Sequence, residues 1–453
     1  MKMNFSQIFT SIHSYIHSYH NIPNEIDKIQ LLMDNNTTIK ANFEFKQENL
    51  YASFCLNEEL PIITKLKAKF GQYFSNNAFI VEIKPQMSED KLIYEYKIIL
   101  NDISFSHQKS SPKYNIAVLK KHKNMHLLDN IIANSLTNIA FNFCGKNFHI
   151  YIDNSFLVIL CETQMKADDF LEYINSIKMA LDFLNTGLSG EIMYIFSVNL
   201  ENFAVNHCKI ILLAPNTRLN FNIFIAMNYP IQEALREALN GENIKIRLNK
   251  EEFERLCTLI HSNTQFKTSI HYILESSKAA LECVLIYLSV ALESNAKYAK
   301  GEECLMPKDK FKKFKKQIDC FIDSAKELNE NEKSIFKNKI INQIPNSLSL
   351  KRPFEQVNMT LTDEELNILK KRNAILHATA IEHSSDIMQD ALKYQKEARI
   401  LYLMLYEFIL KTIGYKGYII NINKWDEVVE FINSYNDKTS NAIFKEDFVK
   451  CLK

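Results

Sequence analysis

KLIYEYKIILNDISFSH, residues 91 to 107, alternates apolar and polar side chains along its length. A strand with one buried and one wet face needs that period of two, because successive side chains point to opposite sides of a sheet. The same alternation runs through TTIKANFEFKQENLYASFCLNEE (37–59) and NAFIVEIKPQ (77–86). These stretches predict half-buried antiparallel strands and make the first half of the chain β-rich.

Working outward, strand patterns resume in NIAFNFCGKNFHIYIDNSFLVILCE (138–162), where Gly145-Lys146 and Asp153-Asn154 read as hairpin turns. Two more strands are expected in IMYIFSVNL (192–200) and HCKIILLAP (207–215). Helices are inserted among them. Phe170, Ile174, Ile177, Leu181 and Leu184 recur three or four apart, with Gly187 as the stop, and Ile8, Phe9, Ile12, Tyr15 and Ile16 predict a short helix near the N-terminus.

Beyond Pro230 the alternation gives way to helical spacing. PIQEALREALNG and KEEFERLCTLIHSN read as short helices, and SIHYILESSKAALECVLIYLSVALESNAKYAK as one long helix. Further helical patterns cover 308–328, 331–343, 361–380 and 384–413, followed by an extended piece in GYKGYIINI and a closing helix in NKWDEVVEFINSYN. The expected fold class is α+β: a β-rich N-terminal domain with inserted helices over residues 1–262, then an all-α bundle over 263–453.

Composition narrows the function. Apolar residues make up 47% and charged residues 24% of the 453, the balance of a globular protein with a sizeable core. The formal net charge of +1 gives no overall attraction for polyanions, so any such contact must come from local clusters. No long apolar run or cleavage site marks a leader or a membrane span, which makes the expectation a cytoplasmic protein with no membrane partner. The nine cysteines are spread singly, with no C-x-x-C, and are expected to be buried free thiols. His122 and His126 have the spacing of a metal pair but no acidic third ligand, and no glycine-rich phosphate loop occurs. No cofactor or metal is expected.

KKRNAILHATA, residues 370 to 380, carries the chemistry. Thr362 and Glu365 form a capping box that starts a helix just ahead of Leu366. On that helix Asn373 and His377 share a face, whereas Arg372 lies about 140° from His377 around the axis. Arginine is a permanent cation with a planar fork of donors, and histidine titrates near neutrality. One helix does not bring guanidinium and imidazole onto one phosphate unaided.

Arg-Asn-x-x-x-His on a late helix of an α-bundle resembles the signature of the HEPN superfamily. The order of Ala-Leu-Glu at 291–293, INQIPNSLSLKRPFEQV at 341–357 and then LKKRNAILHA is similar to its Apea-like branch over roughly residues 265–415. The resemblance implies a metal-independent endoribonuclease acting on RNA, with tRNA a candidate. It implies a homodimer whose paired bundles form a composite site, and a setting in anti-phage abortive-infection defence with a phage-derived trigger sensed by the N-terminal domain. Arg372, Asn373 and His377 would be its catalytic residues. The alternative is a catalytically inactive HEPN module that serves as a scaffold for RNA or protein.

Three other features bear on this. PKDKFKKFKKQIDCFID supplies Lys312, Lys313, Lys315 and Lys316, with Phe311, Phe314, Ile318 and Phe321 expected to pack inward. Such a run is ordinarily a solvated basic face. Beside a nuclease motif it becomes a candidate RNA-binding surface, which Lys370 and Lys371 would extend. Glu293, on an apolar helix, needs a cationic partner, for which Arg352 and Arg372 are the candidates, and its expected role is structural.

Overall fold

The computed structural model describes residues 28–31, 38–46, 49–57, 66–70, 73–88, 91–106, 114–121, 138–152, 156–185, 190–199, 204–210, 229–239, 244–299, 301, 304–376, 387–436 and 443–452. The expected N-terminal helix, the His122/His126 pair, the Asp153-Asn154 turn and Gly187 lie outside them. Two compact units result. One takes the described residues within Met1–Met227 and Arg247–His261, the other those within Asn228–Ile246 and Ser262–Lys453.

The first unit is built on strands β1 (Lys28–Leu31), β2 (Thr38–Lys40), β3 (Asn42–Lys46), β4 (Asn49–Leu56) and β5 (Leu66–Phe70). Then come the two longest, β6 (Tyr73–Ser88) and β7 (Lys91–Ser106), and β8 (Tyr114–Lys121), β9 (Asn138–Phe143), β10 (Lys146–Ile152) and β11 (Phe156–Cys161). After helix α1 (Ala167–Leu184) the sheet is completed by β12 (Gly190–Asn199) and β13 (Ala204–Ile210). All pairings are antiparallel, in the order β2-β1-β5-β6-β7-β13-β12-β8-β11-β10-β9. One edge of β7 is shared, with β4 opposite residues 94–100 and β13 opposite residues 103–106, so β3 and β4 branch off the main path.

Alternation sets which side chains are buried. Tyr96, Ile98 and Leu100 of β7 and Leu50, Ala52 and Phe54 of β4 are buried, and these are the residues at period two. In β8 and β11 both faces are covered, and Ile116 to Leu119 and Leu157 to Cys161 read as continuous apolar runs for that reason. Helix α1 lays Phe170, Ile174, Ile177, Leu181 and Leu184 against β8 and β12. Helix α3 (Lys250–Ser262), which follows α2 (Tyr229–Ala238), sets Phe253 edge-on to Phe141 at 5.2 Å and stacks His261 on Tyr173 at 4.4 Å.

The β9–β10 hairpin turns on Cys144 and Gly145, with φ of 49° and 74°, rather than on Gly145-Lys146. A two-residue loop with both φ positive matches the twist of the flanking strands. Cysteine exposure also departs from expectation: Cys161 and Cys257 are buried, whereas Cys55, Cys144, Cys283 and Cys320 are exposed.

The second unit is helical. It comprises α2, α4 (Thr264–Ser276), α5 (Leu281–Tyr298), α6 (Lys308–Ser324), α7 (Glu330–Lys339), α8 (Asn346–Gln356), α9 (Asp363–Leu376), α10 (Ile387–Thr412) and α11 (Trp425–Asn436), with a small ribbon of β14 (Tyr418–Ile420) and β15 (Val449–Cys451). Helix α2 buries Ile231 and Leu235 and packs with α11, which is why 228–246 leaves the first unit although it precedes α3 in the chain.

The single long helix expected from residue 269 onward is two helices, α4 and α5, packed on one another. The break falls at a serine pair. Ser276 Oγ donates to the Ile273 carbonyl at 2.7 Å and Ser277 Oγ to that of Leu274 at 2.5 Å. These bonds compete with continuation of the backbone ladder. Helix α8 carries no advance signal among the helical patterns because Pro353 stands inside it; Pro345 precedes it as N-cap, where a missing N–H costs nothing.

Candidate functional site

Helix α9 begins as its sequence requires. Thr362 N donates to Glu365 Oε2 at 2.7 Å and Glu365 N to Thr362 Oγ1 at 3.3 Å, the reciprocal capping box. Asp363, Glu364 and Glu365 in the first turn suit the positive end of the helix dipole. The buried stripe is Glu365, Ile368 and Leu369. Arg372 continues that stripe one turn on, so its side chain goes inward rather than to solvent.

There it meets α5. Ala291 and Leu292 are fully buried, and Glu293 beside them forms an ion pair with the Arg372 guanidinium. The side chains are 27% and 13% exposed, so the pair is sheltered but not sealed. Burial pulls the Arg372 pKa below its ordinary value: its charge is less well solvated than on an open surface. Arg352, the other candidate for Glu293, lies instead against Gly301.

Of the remaining motif residues, Asn373 stands in the last turn of α9 and its side chain is not described, while His377 lies outside the described residues. Lys370 is exposed. Lys371 is tied to Glu397 of α10 at 2.7 Å, and Lys396 of α10 reaches back to Glu364 at 2.7 Å, so two ion pairs lace α9 to α10.

The α6 lysines sit elsewhere. Lys312, Lys313 and Lys316 are exposed, and Lys315 is held within the chain, donating to the Lys337 carbonyl at 2.7 Å and pairing with Asp319 at 3.5 Å. Helix α6 packs chiefly on α7. Its apolar stripe packs inward only in part: Phe311 and Ile318 are half-buried, Phe314 is 44% and Phe321 75% exposed, and Ile322 is the one buried side chain of the helix. Where α7 meets α6 it offers Lys337, paired with Asp323, and a charged side chain covers less apolar surface than a core helix would.

Sequence reading missed two polar residues on α5. Ser289, one turn before Glu293, and Asn295 are fully buried, and neither side chain finds a hydrogen-bond partner among the described residues. The available signal was the spacing of Ser289 and Glu293, four apart on an otherwise apolar helix. Among the described residues no group of three His, Cys, Asp or Glu could hold a metal ion, and no helix is long and apolar enough to cross a membrane.

Comparison with family models, with curated proteins and with solved structures returned no match for this chain.

Proposed function

We propose that the helical unit is a HEPN-type domain that cleaves RNA without a metal. One observation carries the reading: Glu293 of the Ala-Leu-Glu element and Arg372 of Arg-Asn-x-x-x-His, far apart in the chain, meet as an ion pair. The two motif elements thus belong to one site. Glu293 acts as the positioning residue. A guanidinium has five N–H donors, and a carboxylate that engages some of them leaves others for a phosphate oxygen.

In the proposed reaction His377 takes the proton from a ribose 2′-hydroxyl, or delivers one to the departing 5′-oxygen. The 2′-oxygen attacks phosphorus and the bond to the 5′-oxygen breaks, leaving a 2′,3′-cyclic phosphate and a 5′-hydroxyl. Arg372 stabilises the charge that gathers on the non-bridging oxygens, and Asn373 donates to the phosphate or orients His377. Two copies pair to bring Arg372 and His377 to one phosphate. Cellular RNA, tRNA among it, is the substrate class, and the β-rich unit controls the activity in response to phage infection.

The second reading, a scaffold without catalysis, draws on the same pair, since Glu293 neutralises the cation that catalysis needs. Incubating the chain with total RNA in EDTA separates them. Cleavage by the natural chain, lost in Arg372→Ala and in His377→Ala, supports the nuclease. Intact RNA with all three, in buffer and in phage-infected extract, assigns the scaffold.

A further inference from the structure

Seven of the fifteen large apolar side chains exposed among the described residues fall between 305 and 348: Leu305, Phe314, Phe321, Ile335, Phe336, Ile341 and Leu348. The same segment holds ten lysines against six carboxylates, a net +4. The whole chain is +1, so the remainder is −3, and positive charge is concentrated where apolar surface is open.

The arrangement on α6 is ordered. Phe314 and Phe321 are seven residues apart, hence about 20° from each other around the axis and about 10 Å along it. Lys310, four residues before Phe314, borders this open stripe. Phe311, Ile318 and Ile322 take the neighbouring face, where Ile322 is buried. Lys308, Lys312, Lys313 and Lys316 are exposed around the rest of the helix. Helix α7, with no buried residue, adds Ile335 and Phe336.

We infer that the α6–α7 hairpin docks on an anionic lipid surface, lying in the plane of the interface with Phe314 and Phe321 inserted and the lysines among the headgroups. Such a position requires an amphipathic helix that is polar over most of its surface, with lysines on the wet side and phenylalanines on the other. A second copy on this face fits less well, because it would cover Phe314 and Phe321 but leave Lys312, Lys313 and Lys316, about 100–160° from Phe314 around α6, without an anionic partner. RNA also fits less well. Phosphates satisfy lysines and bases stack on phenylalanine, but Leu305, Ile335, Ile341 and Leu348 gain nothing from either. A bilayer takes both chemistries at once. Lying on a membrane differs from crossing one, and this docking is independent of RNA cleavage.

The test is flotation of the full chain with vesicles of phosphatidylcholine alone and of phosphatidylcholine mixed with phosphatidylglycerol. Binding to the mixed vesicles only, weakening as salt is raised, is expected. Phe314→Ala with Phe321→Ala should lower that binding about tenfold or more, as should Lys312→Gln, Lys313→Gln and Lys316→Gln together, with the thermal midpoint kept because all five side chains are exposed. No binding to either vesicle, or equal binding to both, overturns the inference. So does a result in which the phenylalanine variant leaves flotation unchanged while it abolishes a dimer by light scattering or weakens binding to a single-stranded oligoribonucleotide, which would give the face to a second copy or to RNA.

Discussion

Glu293 on α5 holds the guanidinium of Arg372 on α9, and the contact joins two helices through charge at a place where each otherwise presents apolar side chains. Removing one partner leaves the other half-buried and uncompensated. Glu293→Ala and Arg372→Ala are each expected to cost about 1–3 kcal/mol of stability, less than a sealed pair because both side chains keep some solvent. The swapped chain, Glu293→Arg with Arg372→Glu, should recover most of that stability in urea titrations. It should not recover RNA cleavage, since the cation then stands on the wrong helix. Recovery of both would mean the pair is structural alone.

A second carboxylate gives stability a pH dependence. Burial raises the Glu407 pKa above its ordinary value, and the ion pair with Lys450 opposes this only in part. The folded chain therefore holds that proton more tightly than the unfolded chain does. Its contribution is greatest below the ordinary glutamate pKa and is lost as pH rises through the raised value. In Glu407→Gln that slope should disappear from the urea midpoint measured between acid and neutral pH. An unchanged slope would assign it to other groups.

Asp426 behaves in the opposite sense. Arg399 donates two hydrogen bonds to its carboxylate, at 2.7 and 3.0 Å, and they hold its pKa below the ordinary aspartate value. Stability from this pair is present above the unfolded pKa and is lost as pH falls through the folded one. Because Asp426 is largely exposed, Asp426→Asn should cost no more than about 1 kcal/mol near neutral pH, and nothing at strongly acid pH. Thermal melts at the two pH values check the difference.

Two glycines should respond differently to alanine. At Gly417 an added Cβ would run into the Lys245 carbonyl oxygen and the Tyr415 ring, and a backbone oxygen cannot rotate away. Gly417→Ala is expected to cost about 1–3 kcal/mol through overpacking. Gly145 has open space around it but a φ of 74°, so Gly145→Ala carries only the backbone penalty, about 1 kcal/mol. Equilibrium denaturation of both variants tests the order. A larger loss at Gly145 would contradict it.

Local physics made much of this architecture legible in the sequence. Period-two alternation announced β4, β6 and β7, three-and-four spacing announced α1, α9 and α10, and Thr362 with Glu365 set the start of α9, because each depends on neighbours within a turn or along a strand. The tertiary structure decided what depends on distant partners. It chose Arg372 over Arg352 for Glu293, ended a helix at Ser276 and Ser277, placed 228–246 with the helical unit, and left Phe314 and Phe321 uncovered. A sequence pattern shows which face of an element is apolar; only the packed neighbours decide whether that face is covered, and by what.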